Sequence, residues 1–118
     1  MARILLAEDE MLLRELALDD LTAAGFDVVV ANNGDEALAI LERDRDFDLL
    51  FTDIRMPGKL DGWALAAEGR RLVPGLKVVY ATGLDDGEGR VGAGELLVPK
   101  PYRKEVLLEL LAGMGVTP

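Results

Sequence analysis

The sequence predicts an α/β domain with a doubly wound, five-stranded parallel sheet and a short or degenerate fourth helix. Five short runs rich in β-branched residues or leucine alternate with helical patterns along the 118 residues, as is typical of such a fold. The first run is almost continuously apolar, as expected for a strand that helices cover on both faces. The sequence contains no linker or internal repeat, so we expect residues 1–118 to form a single domain.

Three strands and two helices are predicted in the first 53 residues. The strands are short, largely apolar runs at 3–7, 27–31 and 47–53. Between the first two strands, apolar side chains recur at helical spacing over residues 11–24, and Gly25 ends this helix. The second helix opens at Asn33, with Asp35 and Glu36 near its positive end.

Two more strands and two regular helices are predicted in the second half. After a loop at 54–61 that carries Pro57 and Gly58, the chain forms a helix, two strands and a final amphipathic helix: 62–72, 76–81, 95–98 and 102–112. Residues 84–94 (LDDGEGRVGAG) stand where the fourth of five helices is due, yet they contain four glycines. Each interior glycine costs a helix about 1 kcal/mol relative to alanine, so we expect a short, frayed or absent helix there.

The composition excludes several kinds of site. The chain contains neither cysteine nor histidine. This excludes disulfides, thiol nucleophiles, Ser-His pairs and metals held by imidazole or thiolate. Any bound metal must therefore be a hard cation held by oxygen atoms.

The net charge of −9 is unevenly distributed along the chain. Residues 1–53 carry 14 acidic and 4 basic side chains, a net −10, whereas residues 54–118 carry 8 acidic and 9 basic ones, a net +1. The acidic half disfavours direct nucleic-acid binding. No apolar run is long enough to cross a bilayer, and acids at positions 8–10 interrupt any signal-peptide core. We therefore expect a cytoplasmic protein with no membrane insertion.

Polar side chains follow four of the five predicted strands. They are Glu8, Asp9 and Glu10 after the first strand, Asp53 at the end of the third, Thr82 after the fourth and Lys100 after the fifth. The carboxyl ends of parallel strands lie at one edge of the sheet, where such folds bind ligands, so we expect these side chains to converge. Converging carboxylates favour a cation, and Mg²⁺ prefers carboxylate and carbonyl oxygens.

Together these side chains could support phosphoryl transfer. A carboxylate beside Mg²⁺ can attack phosphorus and form an aspartyl phosphate, while a hydroxyl and an ammonium hold other phosphoryl oxygens. Taken singly, each residue has a simpler interpretation: the acids could cap a helix, Asp53 could form a turn, and Thr82 and Lys100 could be structural or solvated. The combined site is favoured because four separate strands place the required groups at the same edge.

These residues resemble those of the receiver (CheY-like) domains of bacterial two-component response regulators. The resemblance covers essentially the whole chain, through the segments ILLAEDE, FTDIRMPG, LDGWALA, KVVYATG and VPKPY in this order. It implies a flavodoxin/CheY-like fold and phosphorylation-controlled signalling. The phosphoryl group would come from a histidine kinase or a histidine phosphotransfer protein.

The resemblance also implies a metal site. Asp53 would be the phosphoacceptor and a ligand of Mg²⁺. Glu8 and Asp9 would be the acidic pair, with Asp9 binding the ion directly and Glu8 acting mostly through water. The backbone carbonyl of Arg55 would complete the protein ligands.

Two further residues would hold the phosphoryl group: Thr82 as the hydroxyl that bonds it, and Lys100 as its ion-pair partner. The Lys100–Pro101 bond is expected to be cis by the same resemblance. Such a domain is not an enzyme in the usual sense, since it catalyses only its own phosphorylation and dephosphorylation. Its partners would be the phosphodonor and an unknown downstream protein, and a transient homodimer is compatible with the resemblance.

Three features depart from the family pattern. Leu97 stands three residues before the lysine, where the family usually has tyrosine or phenylalanine. Thr82 and Lys100 are several residues closer than is usual, and Lys59 looks like a one-residue insertion. Leu97 and the glycine-rich segment 84–94 leave open a phosphorylation-independent pseudo-receiver that acts as a protein-interaction module.

The sequence also bears on an alternative enzyme class and on whether the chain is a stand-alone protein. A hydrolase or phosphotransferase with an aspartyl nucleophile is disfavoured, because haloacid-dehalogenase-like enzymes need a second acid two residues after the nucleophile and Arg55 stands there. Met1 and the end of the chain after the last helix favour a stand-alone protein over a receiver cut from a longer chain.

Overall fold

The computed structural model describes residues 1–83 and 91–118. The strands are β1 (Arg3–Ala7), β2 (Asp27–Ala31), β3 (Leu49–Asp53), β4 (Lys77–Thr82) and β5 (Glu95–Pro99). The helices of the described residues are α1 (Met11–Ala23), α2 (Gly34–Arg43), α3 (Gly62–Leu72) and α4 (Lys104–Gly113). The strands are all parallel and follow the order β2-β1-β3-β4-β5, which confirms the predicted doubly wound sheet.

The connection between β4 and β5 is where a short or degenerate helix is expected. Most of that segment, residues 84–90, lies outside the described residues. Residues 91–94 are described and form a turn, in which the Glu95 N–H donates to the Gly92 carbonyl at 3.1 Å. The expectation of a short, frayed or absent helix falls mostly on residues outside the described ones, so it stays a prediction.

Helices cover both faces of the sheet, which explains the continuous apolar runs of the strands. In β1, Leu5 faces the core beneath α2 and α3, whereas Ile4 and Leu6 face the core beneath α1 and α4. Burial of each such side chain contributes about 2 kcal/mol to folding. The helices in residues 1–83 and 91–118 are all too short or too polar to cross a membrane.

The strand register brings four carboxyl ends to one edge of the sheet. The pairs directly opposed there are Ala7 and Thr52, Asp53 and Ala81, and Thr82 and Pro99. Just beyond β5, the Lys100 N–H donates to the Thr82 carbonyl at 2.7 Å. The Lys100–Pro101 bond is cis, as the resemblance implies. This edge therefore collects the residues that follow β1, β3, β4 and β5.

Helix α3 begins directly against the end of β3, and Gly62 makes this approach possible. The Gly62 N–H donates to the Ile54 carbonyl at 2.7 Å. A Cβ at position 62 would lie 2.3 Å from the Asp53 carbonyl oxygen and 2.8 Å from Ile54 Cα. Asp61 caps the helix, since its Oδ1 accepts the Ala64 N–H at 2.8 Å. The first turn of α3 is thereby fixed to the backbone of Asp53.

The opposite edge of the sheet is held together by Arg3. Its guanidinium pairs with Asp27 at 3.2 Å and with Asp44 at 3.0 Å, and it lies 4.4 Å from the centroid of the Phe47 ring. Hydrogen bonds from the Asp46 N–H and from Arg3 hold the pKa of Asp44 below its usual range. Arg3 therefore joins β1 to β2 and to the segment between α2 and β3.

Candidate functional site

Three carboxylates converge at the carboxyl edge of the sheet. Glu8 and Asp9 follow β1, and Asp53 ends β3. One oxygen of each carboxylate lies within 4.8 Å of the other two. Glu8 is buried, with 6% of its surface exposed, Asp53 is half-buried and Asp9 is exposed. The cluster thus extends from the core to the solvent, and a cation can approach it from the Asp9 side.

The Lys100 ammonium lies between two of these carboxylates. Its Nζ is 3.1 Å from Glu8 Oε1 and 3.2 Å from Asp53 Oδ2. Burial lowers the pKa of Lys100, but the hydrogen bond to Glu8 and the charges of Glu8 and Asp53 outweigh that effect, and the pKa is raised. The ammonium therefore stays charged and partly neutralises the cluster.

The loop after β1 is fixed by contacts of Glu8. Burial of the Glu8 carboxyl raises its pKa, although the hydrogen bonds that it accepts from the Glu10 N–H and from Lys100 act to lower it. The Glu10 N–H donates to Glu8 Oε2 at 3.1 Å. On the backbone side, the Arg14 guanidinium donates to the Glu8 carbonyl at 2.9 Å. Sequence reasoning missed Arg14, because its partner is a backbone oxygen and no side-chain pattern marks such a contact.

The Asp53 side chain is held in one orientation but remains accessible. Its Oδ1 accepts the Ile54 N–H at 2.8 Å, while Oδ2 faces Lys100. Its backbone carbonyl accepts the Thr52 hydroxyl at 2.8 Å. The side chain is 15% exposed. An anchored carboxylate that solvent can still reach is suited to act as a nucleophile.

The two remaining residues singled out from the sequence border Asp53. Thr82 ends β4, where it is 5% exposed, and its neighbour Ala81 pairs with Asp53 across the sheet. Arg55 follows Asp53 by two residues and lies exposed in the 54–61 loop. The structure thus brings Glu8, Asp9, Asp53 and Lys100 into one cluster and places Thr82 and Arg55 on the elements beside it.

A groove of about 500 Å³ opens beside this cluster. Its walls include Leu13 and Leu16 of α1, Tyr102 before α4, and Glu8 and Lys100. Leu16 is 53% exposed, so the apolar stripe predicted for α1 only partly faces the core. Burial raises the pKa of the Tyr102 phenol to about 12, so this phenol stays protonated even in alkaline solution. Tyr102 is a second residue near the site that sequence reasoning did not single out.

Leu97 lies beside an aromatic pair supplied by neighbouring elements. It is opposite Tyr80 in the pairing of β4 with β5. The Tyr80 ring is 4.3 Å from the Trp63 ring of α3, between centroids, and its hydroxyl donates to Glu95 Oε1 at 3.1 Å. The ring beside position 97 therefore belongs to β4 and is anchored at its hydroxyl.

The donor groups of the cluster fit Mg²⁺. They are all oxygens, they lie at the carboxyl ends of the neighbouring strands β1 and β3, and the outermost one, on Asp9, faces the solvent. Such a set suits a hard cation that keeps several of its waters. The ammonium of Lys100 already lies between two of the carboxylates, which shows that the cluster attracts positive charge.

Comparison with known protein sequences agrees with this geometry. A sequence model of the response regulator receiver domain matches residues 4–112. The response regulator protein FleR of Pseudomonas aeruginosa is 35% identical over 116 residues, and the match covers 94% of this chain and 24% of FleR. The chain thus spans about a quarter of the length of that relative.

Comparison with solved structures gives the same result. A response regulator receiver protein from Sinorhizobium medicae superposes with a TM-score of 0.89 at 29% identity, covering 96% of this chain and 93% of that one. The response regulator TrrA of Thermotoga maritima, solved in complex with Mg(2+)-BeF, gives a TM-score of 0.82 at 31% identity and covers 97% of this chain and 99% of its own.

Proposed function

The chain belongs to the response regulator receiver family, and from this premise we propose that it is a phosphorylation-controlled signalling domain whose Asp53 accepts a phosphoryl group in a Mg²⁺-dependent reaction. The donor is a phosphohistidine of a histidine kinase or of a histidine phosphotransfer protein. The output is a changed surface for a downstream protein. The chain catalyses only its own phosphorylation and dephosphorylation.

The proposed ligands of Mg²⁺ are Glu8, Asp9, Asp53 and the backbone carbonyl of Arg55. Asp9 binds directly because it is the exposed member of the cluster. Glu8 acts through water because its two oxygens already accept hydrogen bonds from Lys100 and from the Glu10 N–H. A bound Mg²⁺ supplies positive charge that neutralises phosphoryl oxygens. The complex of the similar protein TrrA with Mg(2+)-BeF supports this assignment.

In the transfer step, an Asp53 carboxylate oxygen forms a bond to phosphorus while the bond from phosphorus to the donor imidazole nitrogen breaks. The electron pair of the broken bond stays on that nitrogen, which takes up a proton from solvent. The Ile54 N–H holds the carboxylate in place at 2.8 Å, so that attack starts from an ordered geometry. The Lys100 ammonium and the Thr82 hydroxyl hold phosphoryl oxygens as charge redistributes.

Dephosphorylation restores the starting carboxylate. A water oxygen forms a bond to phosphorus, the bond from phosphorus to the Asp53 oxygen breaks, and inorganic phosphate leaves. While Asp53 is phosphorylated, the Lys100 ammonium pairs with a phosphoryl oxygen in place of the Asp53 carboxylate. The Thr82 hydroxyl donates a hydrogen bond to another phosphoryl oxygen. The Lys100 N–H donates to the Thr82 carbonyl at 2.7 Å, so the new contacts of Lys100 and of Thr82 both act where the carboxyl ends of β4 and β5 meet.

The observation that carries this proposal is the position of the Lys100 ammonium, 3.1 Å from Glu8 and 3.2 Å from Asp53. An ammonium and an acidic pair around one accessible aspartate are what phosphoryl acceptance needs. The test is the intact mass of the protein after incubation with acetyl phosphate and Mg²⁺. Wild type is compared with Asp53→Asn and with Asp19→Asn, a control that removes the same charge from an exposed position of α1.

We expect a phosphoryl adduct on wild type and on the Asp19→Asn control, and none on Asp53→Asn or after chelation of the metal. An adduct that survives in Asp53→Asn would move the acceptor to another residue. If wild type formed no adduct with acetyl phosphate or with a kinase donor, the protein would instead act as a phosphorylation-independent interaction module.

A further inference from the structure

The 54–61 loop between β3 and α3 is anchored to the first turn of α2. The Lys59 N–H donates to Asp35 Oδ2 at 3.0 Å. Gly58 has a φ of +104°, and a Cβ at this position would lie 2.6 Å from the same carboxylate oxygen. The Asp35 carboxylate thus fills the space beside Gly58 and accepts a hydrogen bond from the backbone of the next residue, Lys59.

Two backbone contacts complete this anchoring. At the base of the loop, the Gly62 N–H donates to the Ile54 carbonyl at 2.7 Å. Near its end, the Leu60 carbonyl oxygen packs so closely on α2 that a Cβ at Gly34 would lie 2.6 Å from it. The base of the loop is therefore held by β3 and α3, while its outer part is held by α2.

We propose that Asp35 is a positioning residue for the metal site, which acts through the loop backbone to hold the Arg55 carbonyl in place for Mg²⁺. An additional residue gives a loop more conformations to lose when it orders. A carboxylate that accepts a backbone N–H makes a stronger hydrogen bond than a neutral group does. Lys59 is the residue that the family pattern marks as an insertion, and its bond to Asp35 limits the freedom of the loop at that position.

This inference rests on the proposed function, because it assigns Asp35 a role in binding the same ion. Its effect is specific: Asp35 changes how well the site is ordered before Mg²⁺ binds, and it touches neither the phosphoryl group nor Asp53. Its loss should therefore weaken Mg²⁺ binding and leave the transfer step intact once the ion is bound.

The test compares wild type with three variants on α2 and with a fourth, Gly58→Ala, in the loop. Asp35→Ala removes the acceptor, Asp35→Asn keeps an acceptor oxygen without the charge, and Glu36→Ala removes an exposed carboxylate from the same helical turn. The Mg²⁺ dissociation constant is measured by NMR titration of the backbone amides, which needs no phosphorylation. The rate of adduct formation at saturating Mg²⁺ and the hydrogen-exchange rate of the Lys59 amide are measured on the same proteins.

We expect Asp35→Ala to bind Mg²⁺ about tenfold more weakly, the usual loss when a group that orients a metal ligand is removed. Its Lys59 amide should exchange faster, while its rate at saturating Mg²⁺ matches wild type. Asp35→Asn should keep most of the affinity, and Glu36→Ala should behave as wild type. Gly58→Ala perturbs the same contact from the loop side and should reproduce the loss of affinity.

Several results would overturn the inference. They are equal Mg²⁺ affinity in wild type and Asp35→Ala, an equal loss in Asp35→Asn and Asp35→Ala, or a Gly58→Ala protein that binds as wild type does. A lower rate at saturating Mg²⁺ with unchanged affinity would also overturn it. Absence of Mg²⁺ binding by wild type would refute the metal site of the proposed function as well, so the two failures are distinguishable.

Discussion

Among the glycines of helices α1 to α4, Gly62 should be the one whose replacement by alanine is most damaging. The added Cβ would lie 2.3 Å from the Asp53 carbonyl oxygen and 2.8 Å from Ile54 Cα. Both atoms belong to the backbone at the end of β3, so neither can rotate away as a side chain would. Helix α3 must retreat, which costs the hydrogen bond from the Gly62 N–H and the packing of its first turn. We expect a loss of about 3 kcal/mol in the free energy of unfolding.

Two other helical glycines provide matched controls. Nothing lies within 4 Å of a Cβ at Gly113, so Gly113→Ala should stabilise the protein by up to about 1 kcal/mol through helix propensity. At Gly69, the nearest atoms are the ends of two leucine side chains at 3.2 and 3.3 Å. These side chains can move, so Gly69→Ala should change the free energy of unfolding by close to zero. The cost of repacking the two leucines offsets the gain in helix propensity.

The assay is urea unfolding monitored by circular dichroism. Midpoints are compared between proteins whose free energy of unfolding has the same dependence on urea concentration. The predicted order of stability is Gly113→Ala above Gly69→Ala, with Gly62→Ala far below both. Because the clash involves the carbonyl of Asp53 itself, Gly62→Ala should also form the phosphoryl adduct more slowly. If Gly62→Ala were as stable as Gly113→Ala, then α3 could withdraw from β3 without cost, and the close approach would have no energetic role.

Two further predictions concern charges at the two edges of the sheet. The pKa of Asp44 is lowered from its ordinary 3.8, so its contribution to stability is complete above that value and is lost as the pH falls through the lowered pKa. The urea midpoint should therefore fall less steeply with decreasing pH in Arg3→Gln than in wild type, and parallel curves would contradict this role of Arg3. Lys100→Met removes the cation between Glu8 and Asp53, so NMR titration should show tighter Mg²⁺ binding, while the mass assay should show adduct formation slowed about 100-fold. Unchanged Mg²⁺ affinity would show that the ammonium does not compete for the cluster.

The general position of the site could be predicted because a parallel sheet places every strand's carboxyl end at one edge. Glu8, Asp53, Thr82 and Lys100 each follow a recognisable apolar run. Once the strands were identified, the alternation of strands and helices along the chain required a parallel sheet, and a parallel sheet brings these residues together. The absence of histidine and cysteine then limited the chemistry to oxygen and nitrogen groups of the kind observed.

Contacts between a side chain and a distant backbone atom could not be predicted. Arg14 bonds the Glu8 carbonyl, and Asp35 bonds the Lys59 N–H across 24 positions of the sequence. Neither contact leaves a periodic or charge-paired signal, since a backbone group is the same at every residue. Such contacts emerge only when the relative placement of helices and loops is known.

Element ends were also displaced by tertiary contacts. The third strand, predicted from residue 47, begins at Leu49, because the Phe47 N–H donates to the Arg45 carbonyl in a local turn and not to a neighbouring strand, while the Phe47 ring packs against the Arg3 guanidinium. The last helix, predicted from residue 102, begins at Lys104. Tyr102 lies before it and packs edge-on against Phe51, with 5.8 Å between ring centroids. In both places an aromatic residue takes part in a contact that local propensity does not encode.

The contact between Trp63 and Tyr80 gives the molecule a built-in optical probe. The chain has one tryptophan, and its ring centroid lies 4.3 Å from that of a tyrosine two residues before Thr82. Indole emission is sensitive to the packing and polarity around the ring, and in this chain it has a single source located beside β4. We therefore expect the proposed binding of Mg²⁺ or arrival of a phosphoryl group at the neighbouring edge to change this emission, which would let either event be followed in real time without a label.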